Sequence, residues 1–161
     1  MLDYIGIFKS FNEKKIKYVV IGGLAVNFYG VPRMTYDIDV LLDLEDKNIA
    51  KFLSLLKSWG FKPKIPVNIT DFAVKDKRED WISNRNMKAF NLVNPDWAVS
   101  EIDIIIDSPV DYRKAAKDMK NINVNGVLIP TVSMRNLILM KKSAGRIQDK
   151  EDIKSLKKVS R

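Results

Sequence analysis

Apolar residues recur along this chain at two spacings, one near 3.6 residues and one near 2, and the switches between them mark out its elements. Leu2, Ile5, Ile7, Phe8 and Phe11 follow the helical spacing, which predicts a first helix over 2–13. Lys17–Ile21 (KYVVI) is a short β-branched run and reads as a buried strand ending at Gly22-Gly23. A helix is expected over 24–29, closed by Gly30, and then a loop over 31–35. Tyr36–Leu42 (YDIDVLL) alternates at its start and reads as a second strand, apolar enough beyond its acids to be buried on both faces. Asp46 is placed to cap a helix over 47–59 that stops at Gly60. Two prolines leave 61–75 without a firm element, and 77–84 suits a helical turn. Strands follow over 89–93 and 99–106, joined by Asn94-Pro95-Asp96, and then a helix over 110–119. Asn125-Gly126 is a hairpin signal, with a return strand over 127–129. Ser133 can cap a helix over 134–144 that ends at Gly145, and Asp149 a last one over 150–158. Strands and helices alternate and hairpins also occur, so the expected class is α+β (mixed α/β), a single domain over 1–161.

Composition narrows the chemistry. With 161 residues and 46% apolar content the chain can bury a core. It has no His and no Cys. That excludes a disulfide framework, a thiolate nucleophile, a Ser-His-Asp group and the usual zinc sites. Catalysis would have to run on carboxylates, Lys, Arg, Tyr or Ser, or on an oxygen-bound Mg²⁺, Mn²⁺ or Ca²⁺. The formal charge of +8 suggests an anionic partner, although Lys supplies most of the 28 basic residues and often only solvates a surface. No apolar run approaches the roughly 18–20 residues of a membrane span, and residues 1–10 lack a basic leader and cleavage site. The expected location is cytoplasmic.

The stretch from Ile21 to Asp43 carries the chemistry. Gly22-Gly23 lies between a strand and a helix, where bare backbone can approach a phosphate. The plainer reading is a tight turn. Asp37 and Asp39, two apart on a strand, share a face. From Met34 to Asp46 there are five acids and no base, so a divalent cation would be the simplest compensation. Glu101–Asp107 (EIDIIID) offers further carboxylates on an apolar strand, and Asp103, flanked by isoleucines, would cost most to bury unpaired. Three carboxylates on neighbouring strands can hold two metal ions for phosphoryl-type transfer. Trp81, Trp97 and Phe90 could stack a base, but such spacing is more typical of core.

Strand–Gly22-Gly23–helix, then Gly30 through Arg33-Met34-Thr35-Tyr36-Asp37-Ile38-Asp39, then an apolar strand around Asp103, resembles the nucleotidyltransferase superfamily typified by DNA polymerase β. The spelling is similar to small minimal nucleotidyltransferases and AbiEii-toxin-like proteins, as is the tail Leu139–Ile153 with its Lys141, Ala144-Gly145-Arg146, Asp149 and Asp152. The likeness covers about residues 17–43 and 99–155. It implies a small mixed sheet flanked by helices, with helices at the C-terminus. It also implies Mg²⁺ (or Mn²⁺) on Asp37, Asp39 and Asp103, with Asp103 as third ligand or base, and nucleoside triphosphate contacts at Gly22, Gly23, Arg33 and Thr35. Lys141 and Arg146 would neutralise the triphosphate or brace the site from behind; the plainer reading pairs them with Asp149 or Asp152. Many active members carry Ser after the first Gly, where this chain has Gly23 and Leu24.

The resemblance implies transfer of a nucleoside monophosphate from a triphosphate to a hydroxyl, with release of pyrophosphate. The acceptor is left open among a tRNA end, a small-molecule hydroxyl and a protein hydroxyl. The alternative is a non-catalytic or toxin–antitoxin component that keeps the fold and binds a small protein partner. A basic nucleic-acid-binding module rests on charge alone, and the acidic strands argue against it.

Overall fold

In the computed structural model, which describes residues 3–161, the first predicted helix forms as α1 (Tyr4–Glu13), with Leu2 outside the described residues. Asp3 caps it by accepting from the Gly6 N–H at 2.8 Å. Strand β1 (Tyr18–Ile21) runs directly into α2 (Gly22–Phe28). The predicted helix began at Leu24; the two glycines form its first turn instead. Strand β2 (Asp37–Leu42) leads to α3 (Asp46–Ser58). Glu45 is the N-cap and Asp46 sits in the first turn, where its charge suits the positive end of the helix dipole without a capping bond, so the expected Asp46 cap is corrected. The unassigned stretch holds β3 (Lys62–Pro63) and a 3₁₀ turn (Ile69–Ala73), and a full helix α4 (Lys75–Arg85) replaces the expected single turn. Then come β4 (Ala89–Val93), β5 (Glu101–Ile105), a helix α5 (Tyr112–Ala116) shorter than expected, and the hairpin β6 (Lys120–Val124) and β7 (Val127–Thr131). Helices α6 (Met134–Ala144) and α7 (Ile147–Val159) close the chain. Ser133 caps α6 as expected, and Gly145 ends it at φ 66°. The expected Asp149 cap of α7 is also corrected. The N-cap is Arg146, and Asp149 three residues on accepts its backbone N–H at 3.1 Å.

Among the described residues the strands form one mixed sheet in the order β3-β4-β5-β2-β1-β7-β6. At its centre β2 runs parallel to β5 and antiparallel to β1. Side chains paired across strands share a face, which gives the sheet two unlike sides. One side carries Tyr18, Val20, Ile38, Val40, Phe90, Leu92, Ile102 and Ile104, each at most 2% exposed. Helix α1 covers part of it, with Phe8 stacked 5.8 Å from Tyr18 and Phe11 edge-on at 5.2 Å. Farther along, Phe72 and Trp81 stack on Phe90 at 4.9 and 5.3 Å, and Trp97 packs against Trp59 and Phe61. Trp81 and Phe90 are core, as their spacing suggested, and Trp97 packs half-buried against it. The other side carries Asp37, Asp39, Glu101 and Asp103. The strand is therefore not buried on both faces along its length. Burial alternates from Asp37 to Val40 and becomes continuous only over Val40–Leu42.

Candidate active site

The parallel pairing of β2 with β5 sets Asp37 against Glu101 and Asp39 against Asp103. Two carboxylates along each strand and two across thus make a four-cornered acidic patch. Its edges follow from sheet geometry: about 4.8 Å between strands and about 6.6 Å between alternate residues. The crosswise pairs are close enough for strong repulsion. Among the described residues no three carboxylates are drawn into a metal-ligating cluster, because the strand spacing holds Asp37 farther from Asp103 than Asp39 is.

Burial and mutual repulsion raise Asp37, Asp39 and Asp103. Asp103 is 8% exposed and its Oδ1 is buried with no hydrogen-bond partner. Desolvation is the main force pushing its pKa up to about 7; a hydrogen bond from Asn91 pulls against it, while Asp39, Glu101 and Asp37 add to the rise. Asn91 faces Asp103 across the β4–β5 pairing, and nothing in its own strand marks it, since the contact depends on register. Asp39 is pushed up to about 6, first by desolvation and then by Asp37, while Arg146 and Lys141 pull it down. Asp37, nearer solvent, is raised by burial and by Glu101, and lowered by Lys64, which pairs with Glu101 at 3.2 Å.

The glycine turn sits directly on this patch. Gly22 has φ 67°, and a Cβ there would fall 2.1 Å from Asp39 Oδ2. Only glycine lets the chain pass from β1 into α2 this close to a carboxylate. A Cβ on Gly23 would come 2.9 Å from Thr35 Oγ1 and 3.0 Å from Arg33 Cζ. The space a serine would need at that position is thus filled by the 31–36 loop, which brings its own hydroxyl. Asn27 holds this loop by accepting the Arg33 N–H at 3.0 Å, and Tyr4 donates to the Thr35 carbonyl at 3.0 Å.

Lys141 and Arg146 lie behind the patch in a charged cluster. Lys141 is 5% exposed and reaches Asp149 at 3.3 Å and Asp152 at 2.7 Å. Arg146 binds Asp149 through Nε at 2.7 Å and Nη2 at 3.2 Å, yet its side chain is 76% exposed. Burial pushes Asp149 up, but Arg146 and Lys141 outweigh it and leave its pKa below the ordinary value. The predicted residues therefore fall into two groups. Gly22, Gly23, Arg33, Thr35, Asp37, Asp39 and Asp103 meet at one end of the central strands. Lys141 and Arg146 form the wall behind, paired with both of the acids the plainer reading named.

No curated protein matches the chain significantly. Solved structures do. A lincosamide antibiotic adenylyltransferase, LnuA, solved with lincomycin bound, is 20% identical at a TM-score of 0.64, covering 95% of this chain and 93% of its own. A nucleotidyltransferase from Thermotoga maritima is 18% identical at 0.57, covering 92% and 86%. The antibiotic-resistance factor ANT(2'')-Ia is 10% identical at 0.58, covering 93% and 78%. At these identities the likeness shows a shared fold. A family model described as a nucleotidyltransferase of unknown function (DUF6036) matches residues 7–160, nearly the whole chain. The chain belongs to that family of nucleotidyltransferases.

Proposed function

We propose that the chain transfers a nucleoside monophosphate from a nucleoside triphosphate to a hydroxyl and releases pyrophosphate. The observation that supports this most is the register that sets Asp39 beside Asp103, directly under the Gly22 turn. The acceptor oxygen bonds to the α-phosphorus, the bond from that phosphorus to the bridging oxygen breaks, and pyrophosphate leaves. Asp103, whose Oδ1 is buried and free of any hydrogen-bond partner, takes the hydroxyl proton. The backbone at Gly22 and Gly23 lets phosphate come close. Thr35 Oγ1 and Arg33 stand over Gly23 to meet the phosphate oxygens, and Arg146, exposed at the α6–α7 corner, adds positive charge that acts on Asp39. Lys141 acts from behind through its field on Asp39.

The donor set fits a hard divalent cation. All the donors are oxygens, one is buried and unpartnered, and the acids are held close against their own repulsion. Asp37, Asp39 and Asp103 would hold Mg²⁺ or Mn²⁺. When bound, the metal supplies positive charge for the triphosphate and the leaving pyrophosphate. The acceptor to test first is a small-molecule hydroxyl, since LnuA is an antibiotic adenylyltransferase. A tRNA end and a protein hydroxyl are the other arms. The test is thermal shift and pyrophosphate release with Mg²⁺ and each of the common nucleoside triphosphates. The parent is expected to bind at least one, and Asp37→Asn and Asp39→Asn to lose it. Variants that bind metal and nucleotide as the parent does would overturn the reading. A parent that binds no triphosphate would favour the non-catalytic component with a protein partner.

A further inference from the structure

Arg33, on the loop beside the glycine turn, and the α6–α7 corner belong to one charge network. Asp152 is its hub. The carboxylate is 2% exposed, and its Oδ2 accepts from Lys141 Nζ at 2.7 Å and from Arg33 Nη1 at 2.6 Å. Its Oδ1 accepts from Gln148 at 3.0 Å. The ion pair with Arg33 joins positions 119 residues apart. Asp149 already ties α6 to α7 through Lys141 and Arg146, so closing the helix corner does not require Asp152. What Asp152 adds is the link to the loop. Without it, the Arg33 side chain would keep a single hydrogen bond, the 3.4 Å contact from Nε to the Met34 carbonyl. With it, the guanidinium is fixed beside Gly23, where Cζ and Nη1 would lie 3.0 and 3.1 Å from a Cβ on that glycine, and Nη2 has no hydrogen-bond partner among the described residues.

We propose that Asp152 is a positioning residue that holds Arg33 at the Gly22-Gly23 turn, so that the free guanidinium nitrogen meets the triphosphate. This inference rests on the nucleotidyl-transfer reading. An arginine side chain otherwise loses considerable rotamer freedom on binding, and fixing it in advance removes that cost from the binding step. The planar fork makes the division of labour possible: one nitrogen on Asp152, another toward phosphate.

The test is a double-mutant cycle on Mg²⁺–triphosphate binding, with ATP, GTP, CTP and UTP as probes and the melting temperature of each ligand-free variant as the control for folding. Asp152→Asn is expected to weaken the triphosphate that the parent binds best by roughly tenfold, the effect usual for removing a supporting partner. Arg33→Ala should weaken it at least as much, and adding Asp152→Asn to Arg33→Ala should cost little more. Arg33→Lys keeps the charge but cannot divide itself between two anions. It is expected to bind as weakly as Arg33→Ala, and it remains informative if Asp152→Asn does not fold. If the parent binds a triphosphate while Asp152→Asn or Arg33→Lys binds it equally well, or if Asp152→Asn costs the same with and without Arg33, the inference alone is overturned. A parent that binds none of the four overturns the nucleotidyl-transfer reading and this inference with it.

Discussion

At the scale of single residues, Gly22 and Asp103 set the terms of the site. Gly22→Ala would place a methyl group 2.1 Å from Asp39 Oδ2 at a left-handed φ. The backbone strain alone is about 1–2 kcal/mol, and Asp39 must also move. We expect nucleotidyl transfer to fall on the order of 100-fold, measured as kcat/KM, with the fold retained by circular dichroism. Asp103 makes a separate prediction about stability. Its pKa is about 7 in the folded chain against an ordinary 3.8. The unfolded chain therefore gives up this proton first, and stability falls as pH rises from about 4 to 7. Without divalent cations, Asp103→Asn should be more stable than the parent at pH 8, by on the order of 2 kcal/mol, and no more stable at pH 4. Denaturant melts at the two pH values check this; a variant less stable than the parent at pH 8 would count against the buried-charge account.

At the scale of elements, the α6–α7 pair shows what the sequence discloses and what it withholds. Ser133 and Gly145 bound α6 through local chemistry that needs no partner, so both ends were legible. The start of α7 was misplaced because Asp149 works backward, onto the Arg146 N–H, and a lone Asp looks alike at either position. The acidic strand was legible from its alternation. That Asp39 stands against Asp103 was not, since pairing and register belong to the sheet and not to the strand. Asn91 and the Asp152–Arg33 link stayed hidden for the same reason: each joins segments far apart in the chain. Lys141 tests the packing of this pair. Lys141→Ala would leave Asp149 and Asp152 buried with fewer cations, and we expect a loss of about 3 kcal/mol in chemical denaturation. Lys142→Ala, on an exposed neighbour in the same helix, is expected to change stability by less than about 0.5 kcal/mol.

At the scale of the whole molecule, the +8 charge divides unevenly. Residues 141–161 hold eight basic and three acidic side chains, whereas the patch on β2 and β5 is acidic. A cation on the patch would relieve the repulsion among those acids, so Mg²⁺ alone should stabilise the protein. At about ten times its Kd the gain is about 1.4 kcal/mol. Calorimetry with and without Mg²⁺ should show the shift in the parent and its loss in Asp37→Asn/Asp39→Asn. The sheet's two ends carry a further consequence. One edge, β3, is two residues long and ends in Pro63; the other, β6, carries exposed Lys120, Asn121 and Asn123. Short length, proline and polar side chains all discourage another strand from pairing there. The protein is thereby guarded against edge-to-edge aggregation when concentrated, and a binding partner would have to engage its helices or loops instead of extending its sheet.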